Sequence, residues 1–188
     1  MKPADRRASY ADLLEVPDHM VAEIVDGELY AAPRPALPHA TAASSIAGDL
    51  NGAFHRPADG PGRPGGWWIL VEPELHLGTD VIVPDLAGWR RERIPALRDV
   101  AFFDVPPDWV CEVVSPATGA LDRARKMPIY AREGVAHLWL VDPISRTLEV
   151  YNLDGSRWVV LGTHGGKQTI RAAPFAVVEL DIGRWWLD

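Results

Sequence analysis

The chain is poor in thiols, in ammonium groups and in long apolar runs. Its 188 residues include one cysteine, Cys111, and three lysines against 16 arginines. A lone cysteine excludes an internal disulfide framework and fits a reducing compartment. No apolar stretch reaches the length that crosses a bilayer, and no secretory apolar region follows the first residues. The expectation is a cytoplasmic protein with no membrane partner. The six histidines fall at no telling spacing. There is no zinc pattern, no Gly-rich phosphate cradle and no G-x-S-x-G elbow, so no organic cofactor is expected. Positive charge is scarce as well: the net charge of −7 argues against a general nucleic-acid coat. The deficit is uneven. Between Asp85 and Arg132 eight Lys or Arg face seven Asp or Glu, whereas the remainder holds eleven against nineteen.

What is present suffices for one well-buried domain spanning 1–188, since 47% of residues are hydrophobic and no long polar linker divides them. Ser9 can cap a short helix that Pro17 ends. "MVAEIVDGELYAA" reads as a hairpin turning at Asp26-Gly27. "HATAASSIAGDLNGAF" reads as a helix with Ile46, Leu50 and Phe54 on one face. "HRPADGPGRPGG" is an exposed loop. Strands are expected at Trp67–Leu77, Asp80–Ala87, Trp109–Val114, His137–Val141, Thr147–Asn152, Arg157–Gly162 and near Phe175–Leu180, with a polar helix near Ala120–Glu133. This order suggests an α/β (mixed α+β) domain with a mixed central sheet flanked by helices.

The strand W-V-C-E-V-V is apolar at nearly every position except Glu112. Burying an ionised carboxylate without a partner is prohibitive, so a core acid implies a cation or a proton. A second acid, Asp85, follows the apolar run "DVIV" after Pro84, where a missing N–H marks a strand end or bulge. If the two strands pair, the carboxylates come together and need a cation between them, and oxygen ligands of that kind suit Mg²⁺ or Mn²⁺. Lys126 is the third candidate: a sequence so strongly biased to Arg places an ammonium there, between Arg123-x-Arg125 and Pro128.

These residues carry a resemblance. "VIVPDLAGW" followed by "PDWVCEVVSPATGALDRARKMPIYAREGVAHLWLVDP" resembles the large bacterial family of putative restriction endonucleases expanded in cyanobacteria, within the PD-(D/E)XK nuclease-like superfamily. The EIVDGEL hairpin, the PD dipeptide, E-V-x-S-P, D-x-x-x-K, Y-x-x-x-G-V and W-L-V-D-P occur in the family's order and cover most of the chain. The resemblance implies a restriction-endonuclease-like core with a mixed sheet and helices on both faces. It also implies that Asp85 is the acid of the PD and Glu112 the acid of the (D/E)-x-K. Val114 stands where the superfamily usually has its lysine, and Lys126 matches a lysine moved to the following helix.

On this reading the chain is a metal-dependent endonuclease acting on DNA. Asp85 and Glu112 bind the ion, with the Val113 carbonyl as a further ligand, and Lys126 positions water or offsets charge. Glu72, Glu23 and His39 are additional candidates, and Arg123 and Arg125 could hold flanking phosphates. Asp122 is read as a helix cap, Asp108 as a strand-entry residue, and Asp142 as a turn former before Pro143. Tyr130, Trp139 and Trp185-Trp186 are read as packing rather than base stacking. A homodimer would supply two sites for two strands, with an exposed Trp pair as its interface. The alternatives are a catalytically inactive DNA-binding or scaffold protein of the same fold, and a carboxylate-pair hydrolase of sugars that needs no metal.

Overall fold

Local signals set most elements of the computed structural model, which describes residues 6–58, 60 and 62–187. Ser9 precedes helix α1 (Tyr10–Leu14), and its N–H and hydroxyl both donate to Asp12, at 2.7 and 2.6 Å. Strands β1 (Met20–Val25) and β2 (Glu28–Pro33) form the expected hairpin. Its two-residue turn requires positive φ at both positions; Asp26 adopts +53° and Gly27 +83°. Helix α2 (Leu37–Phe54) has Pro38 in its first turn, where no amide hydrogen is missed. It buries Ala42, Ile46, Leu50 and Phe54, each four residues after the last. Asp59 and Pro61, in the breaker-rich loop that follows, lie outside the described residues.

Two runs that read as single strands are each broken in two. The first gives β3 (Trp67–Val71) and β4 (Glu74–Leu77), the second β5 (Asp80–Ile82) and β6 (Leu86–Arg90). Glu72 turns the chain at φ +46° ahead of Pro73, and Pro84 ends the second run's first half because it has no N–H for a ladder. Then come β7 (Phe102–Phe103), β8 (Trp109–Val113), α3 (Gly119–Leu121), a π-helical turn (Asp122–Lys126), α4 (Met127–Arg132) and β9 (His137–Asp142). The chain ends with β10 (Thr147–Asp154), β11 (Arg157–Gly165), β12 (Thr169–Ile170), β13 (Leu180–Asp181) and a 3₁₀ turn (Ile182–Trp185). The strand expected near Phe175–Leu180 survives only as β13. Upstream of it Phe175 is fully buried against Phe54, Trp67, Trp109 and Trp139, and that packing turns the chain inward.

The breaks divide the expected single mixed sheet into two mixed sheets. One has the order β11-β10-β9-β8-β6-β3, with β8 and β9 parallel; the other is β2-β1-β5-β4-β7, with β4 and β7 parallel. A small pair, β12-β13, closes the C-terminal region. The chain crosses between the large sheets at β3→β4 and at β5→β6. These crossings lie side by side, since the Glu72 N–H donates to the Asp85 carbonyl at 3.0 Å.

Strand β8 is interior and covered on both faces, as its near-continuous apolar sequence requires. Trp109, Cys111 and Val113 join α2 and the C-terminal segment in one core, with Trp139, Phe175 and Trp185. Val110 joins Leu138, Leu140, Ile129 and Tyr130 in the other, with Leu75, Leu77 and Ile82 of the second sheet. The Trp185-Trp186 pair offers no surface to a second copy. Both rings are buried, and their indole N–H groups donate to Asp49 and the Gly166 carbonyl at 2.9 and 2.7 Å. Asp142 forms the turn expected of it, accepting from the N–H groups of Ile144 and Ser145. Among the described residues no helix is long and apolar enough to cross a membrane.

Candidate active site

The two crossings and the middle of β8 meet at one place. Just beyond the last cross-strand pair of β6 and β8, Leu86 with Cys111, the Asp85 carboxylate replaces the missing ladder and accepts the Val113 N–H at 2.7 Å. Pro84 thus ends a strand, and the acid after it pins the crossing to the residue adjoining Glu112. The other Asp85 oxygen lies 3.1 Å from His39 Nε2, in the first turn of α2. Among the described residues His39 Nδ1, which is buried, meets no hydrogen-bond partner. Burial opposes charge on this imidazole, but the hydrogen bond and charge of Asp85 outweigh it and raise its pKa.

Glu112 is 2% exposed, and its Oε1 accepts from the Tyr130 hydroxyl at 2.6 Å and from the Lys126 ammonium at 2.9 Å. Lys126 is 3% exposed. Its Nζ lies 2.9 Å from Glu23 Oε1, 3.7 Å from Asp122 Oδ1 and 3.5 Å from the Val83 carbonyl. Glu23 Oε1 also accepts the Val83 N–H at 2.8 Å, so this acid of β1 ties the lysine to the β5→β6 crossing. Asp122, Lys126 and Tyr130 recur every four residues and share a helix face. Pro128 sits in the first turn of α4, which opens at Met127 directly after the π turn, so no break in the chain's helical course is needed. The π turn before it, closed by Met127 N–H to Asp122 O, loosens the backbone that a proline four residues on would otherwise crowd.

Burial drives the electrostatics. Desolvation pushes Glu112 well above the usual carboxylate range, with Lys126 pulling it back. Asp122 is pushed up to about 6, again by burial and against the attraction of Lys126. Desolvation works against the Lys126 charge, but Glu112, Glu23 and Asp122 reverse it, and its pKa lies well above that of a free lysine. The Tyr130 hydroxyl is held protonated by burial and by the Glu112 charge. Three buried or half-buried acids therefore share one ammonium, and burial favours the protonated form of two of them, Glu112 and Asp122.

The fold brings together Asp85, Glu112, Lys126, Glu23 and His39. Glu72 lines the same depression as His39 and Asp85, a groove of about 370 Å³ walled by Pro35, Ala43 and Ser44, but its carboxylate turns to Arg34 at 3.1 Å. Arg123 and Arg125 point elsewhere: Arg125 pairs with Asp26 at 2.8 Å, and Arg123 lies 3.5 Å from Glu149. Asp122 does not cap a helix; it is 3% exposed and faces Lys126. Tyr130 packs in the core as expected, but its contact with Glu112 has no counterpart in the sequence reading. The four-residue spacing of Asp122, Lys126 and Tyr130 is the signal that carried both. Among the described residues no three His, Cys, Asp or Glu side chains converge closely enough to hold a metal ion by themselves.

The fold is that of a solved structure. It matches the crystal structure of a putative nuclease belonging to DUF820 from Anabaena variabilis ATCC 29413 with a TM-score of 0.72 and 21% identity, covering 95% of this chain and 97% of that one. Comparison with curated proteins gives no match. Residues 8–183 match the model of the Uma2 family, described as putative restriction endonucleases, and the chain belongs to that family.

Proposed function

We propose that the protein is a metal-dependent endonuclease that hydrolyses DNA phosphodiester bonds in the cytoplasm, using Mg²⁺ or Mn²⁺ with Asp85, Glu112 and Lys126. The observation that carries this reading is the convergence of three separated segments: Asp85 on the Val113 N–H at 2.7 Å and Lys126 on Glu112 at 2.9 Å. The donor set suits a hard cation, since it offers carboxylates and the Val113 carbonyl beside a single ammonium that three acids share. Mg²⁺ usually takes only one or two carboxylates and completes its shell with water and phosphate, so three converging side chains are not required. Asp85, Glu112 and the Val113 carbonyl would hold it, with Glu72 in reach of the same groove. Bound there, the ion would polarise the scissile phosphate and acidify a water.

The chain's own groups have distinct tasks. Two hydrogens of the Lys126 ammonium are committed to Glu23 and Glu112 at 2.9 Å. The third faces acceptors at 3.5 and 3.7 Å, which hold it weakly and leave it free to reach a water or a phosphoryl oxygen. His39 would contact a phosphate oxygen at the mouth of the groove. Arg123 and Arg125 reach DNA only by leaving Glu149 and Asp26. DNA approaching these acids needs the cation in place, because carboxylates repel phosphate. Homodimerisation belongs to this proposal, with a surface other than the buried Trp185-Trp186 pair.

One observation favours a second reading, a non-catalytic DNA-binding or scaffold protein: both firm contacts of Lys126 are to acids. A plasmid-nicking assay separates the two. The endonuclease nicks supercoiled DNA with Mg²⁺ or Mn²⁺, loses activity in EDTA, and loses it in Asp85→Ala. Retarded DNA with no nicking under any divalent ion establishes the second reading. Nicking that survives EDTA contradicts both.

A further inference from the structure

Glu112 offers its two oxygens unequally. Among the described residues the Tyr130 hydroxyl at 2.6 Å and the Lys126 ammonium at 2.9 Å both meet Glu112 at Oε1. A carboxylate oxygen has about two lone-pair sites, so Oε1 is saturated. We infer that Tyr130 is a specificity-determining positioning residue: with Lys126 it fills Oε1 and leaves Glu112 a single oxygen, Oε2, to give to a divalent ion. The inference deepens the metal-dependent reading and rests on it.

The restraint has a chemical consequence. Ca²⁺ accepts bidentate carboxylates in a large, flexible shell, whereas Mg²⁺ demands near-ideal octahedral geometry with short single-oxygen bonds. Mn²⁺ shares the preference for carboxylate, carbonyl and water ligands and serves as a probe for the Mg²⁺ site. A glutamate held to one oxygen favours the smaller ions. Tyr130 is suited to impose this because its ring is enclosed by the core. It is fully buried, four residues after Lys126 on the same helix face, and its ring packs among Val110, Leu138 and Leu140. Removing the hydroxyl empties one site on Oε1 without removing the ring, so Glu112 can turn and bind through both oxygens.

The test is calorimetric titration of the metal-free chain with Mn²⁺ and with Ca²⁺, without DNA or turnover. Wild type prefers Mn²⁺, and in Tyr130→Phe that preference falls by about tenfold, the lower end of what loss of a ligand's hydrogen-bond partner costs. Ile129→Val, a neighbouring core substitution that leaves Glu112 untouched, lowers the melting temperature while keeping the preference. Equal preference in wild type and Tyr130→Phe overturns the inference and leaves the metal site standing, as does an equal shift in Ile129→Val. A wild type that prefers Ca²⁺ overturns it without any variant. A wild type that binds neither ion removes the metal-dependent reading, and the inference with it.

Discussion

The two faces of strand β8 are built from the same five residues by opposite physics. Trp109, Cys111 and Val113 face α2 in a core where Trp139, Phe175, Ile46 and Leu50 exclude charge. Glu112, pointing the other way, is as deeply buried but meets Lys126, Tyr130 and, through the lysine, Glu23 and Asp122. One face is stabilised by area and close packing, which fail gradually. The other is held by charges that are costly to bury and therefore must stay matched. The proposed endonuclease draws its acids from the second face, where three of them share the Lys126 ammonium. The first face holds the strand that carries Glu112 in place.

The contrast predicts a graded series of effects. Breaking it hardest, Lys126→Met leaves three acids without their ammonium and costs about 3–5 kcal/mol in urea unfolding. The double variant Lys126→Met/Glu112→Gln recovers much of that loss, because the uncompensated charge is then removed; no recovery would mean the lysine acts through packing alone. Next, saturating Mn²⁺ at about one hundred times its dissociation constant raises stability by about 2.7 kcal/mol in wild type and by nothing in Asp85→Ala. Equal stabilisation of both would place the ion elsewhere.

Asp122→Asn sharpens the comparison through pH. The Asp122 carboxyl is raised by burial to about 6, above the 3.8 of a free aspartate. The folded chain therefore keeps this proton where the unfolded chain has released it, and wild-type stability falls as pH rises from about 4 to 6. The asparagine variant lacks this loss. Its advantage is absent near pH 4 and reaches roughly 2 kcal/mol at pH 7, discounted from the full shift for the contact it gives up with Lys126. The smallest effect lies on the dry face, where Ile46→Val costs about 1 kcal/mol and leaves nicking per folded molecule unchanged. A fall in activity there would mean that the two faces are coupled through β8.

Much of this contrast was legible in the sequence. Glu112 stood out as the one charge in an apolar strand, Asp85 by its place after Pro84, and Lys126 by the scarcity of lysine, with the order of motifs adding the fold. The hairpin at Asp26-Gly27 and the face of α2 followed from turn chemistry and periodicity. The division into two sheets did not, because the break at Glu72 is a single residue at positive φ inside an otherwise continuous β-prone run. Asp122 reads as a cap because aspartate usually serves there, and tertiary burial overrides that preference. Arg125 reads as a free cation in sequence because its partner, Asp26, lies 99 residues away. Tyr130 was half legible: an aromatic in a helix reads as packing, and only the fold reveals which polar atom its hydroxyl meets.

On the proposed function, acids from β8 and from the β5→β6 crossing build one divalent-cation pocket. Anomalous diffraction from crystals soaked in Mn²⁺ tests it most directly. The account predicts one strong peak within bonding distance of both Asp85 and Glu112, on the Glu112 oxygen that Tyr130 does not touch. A peak bonded to neither acid, or none at saturating Mn²⁺, contradicts it.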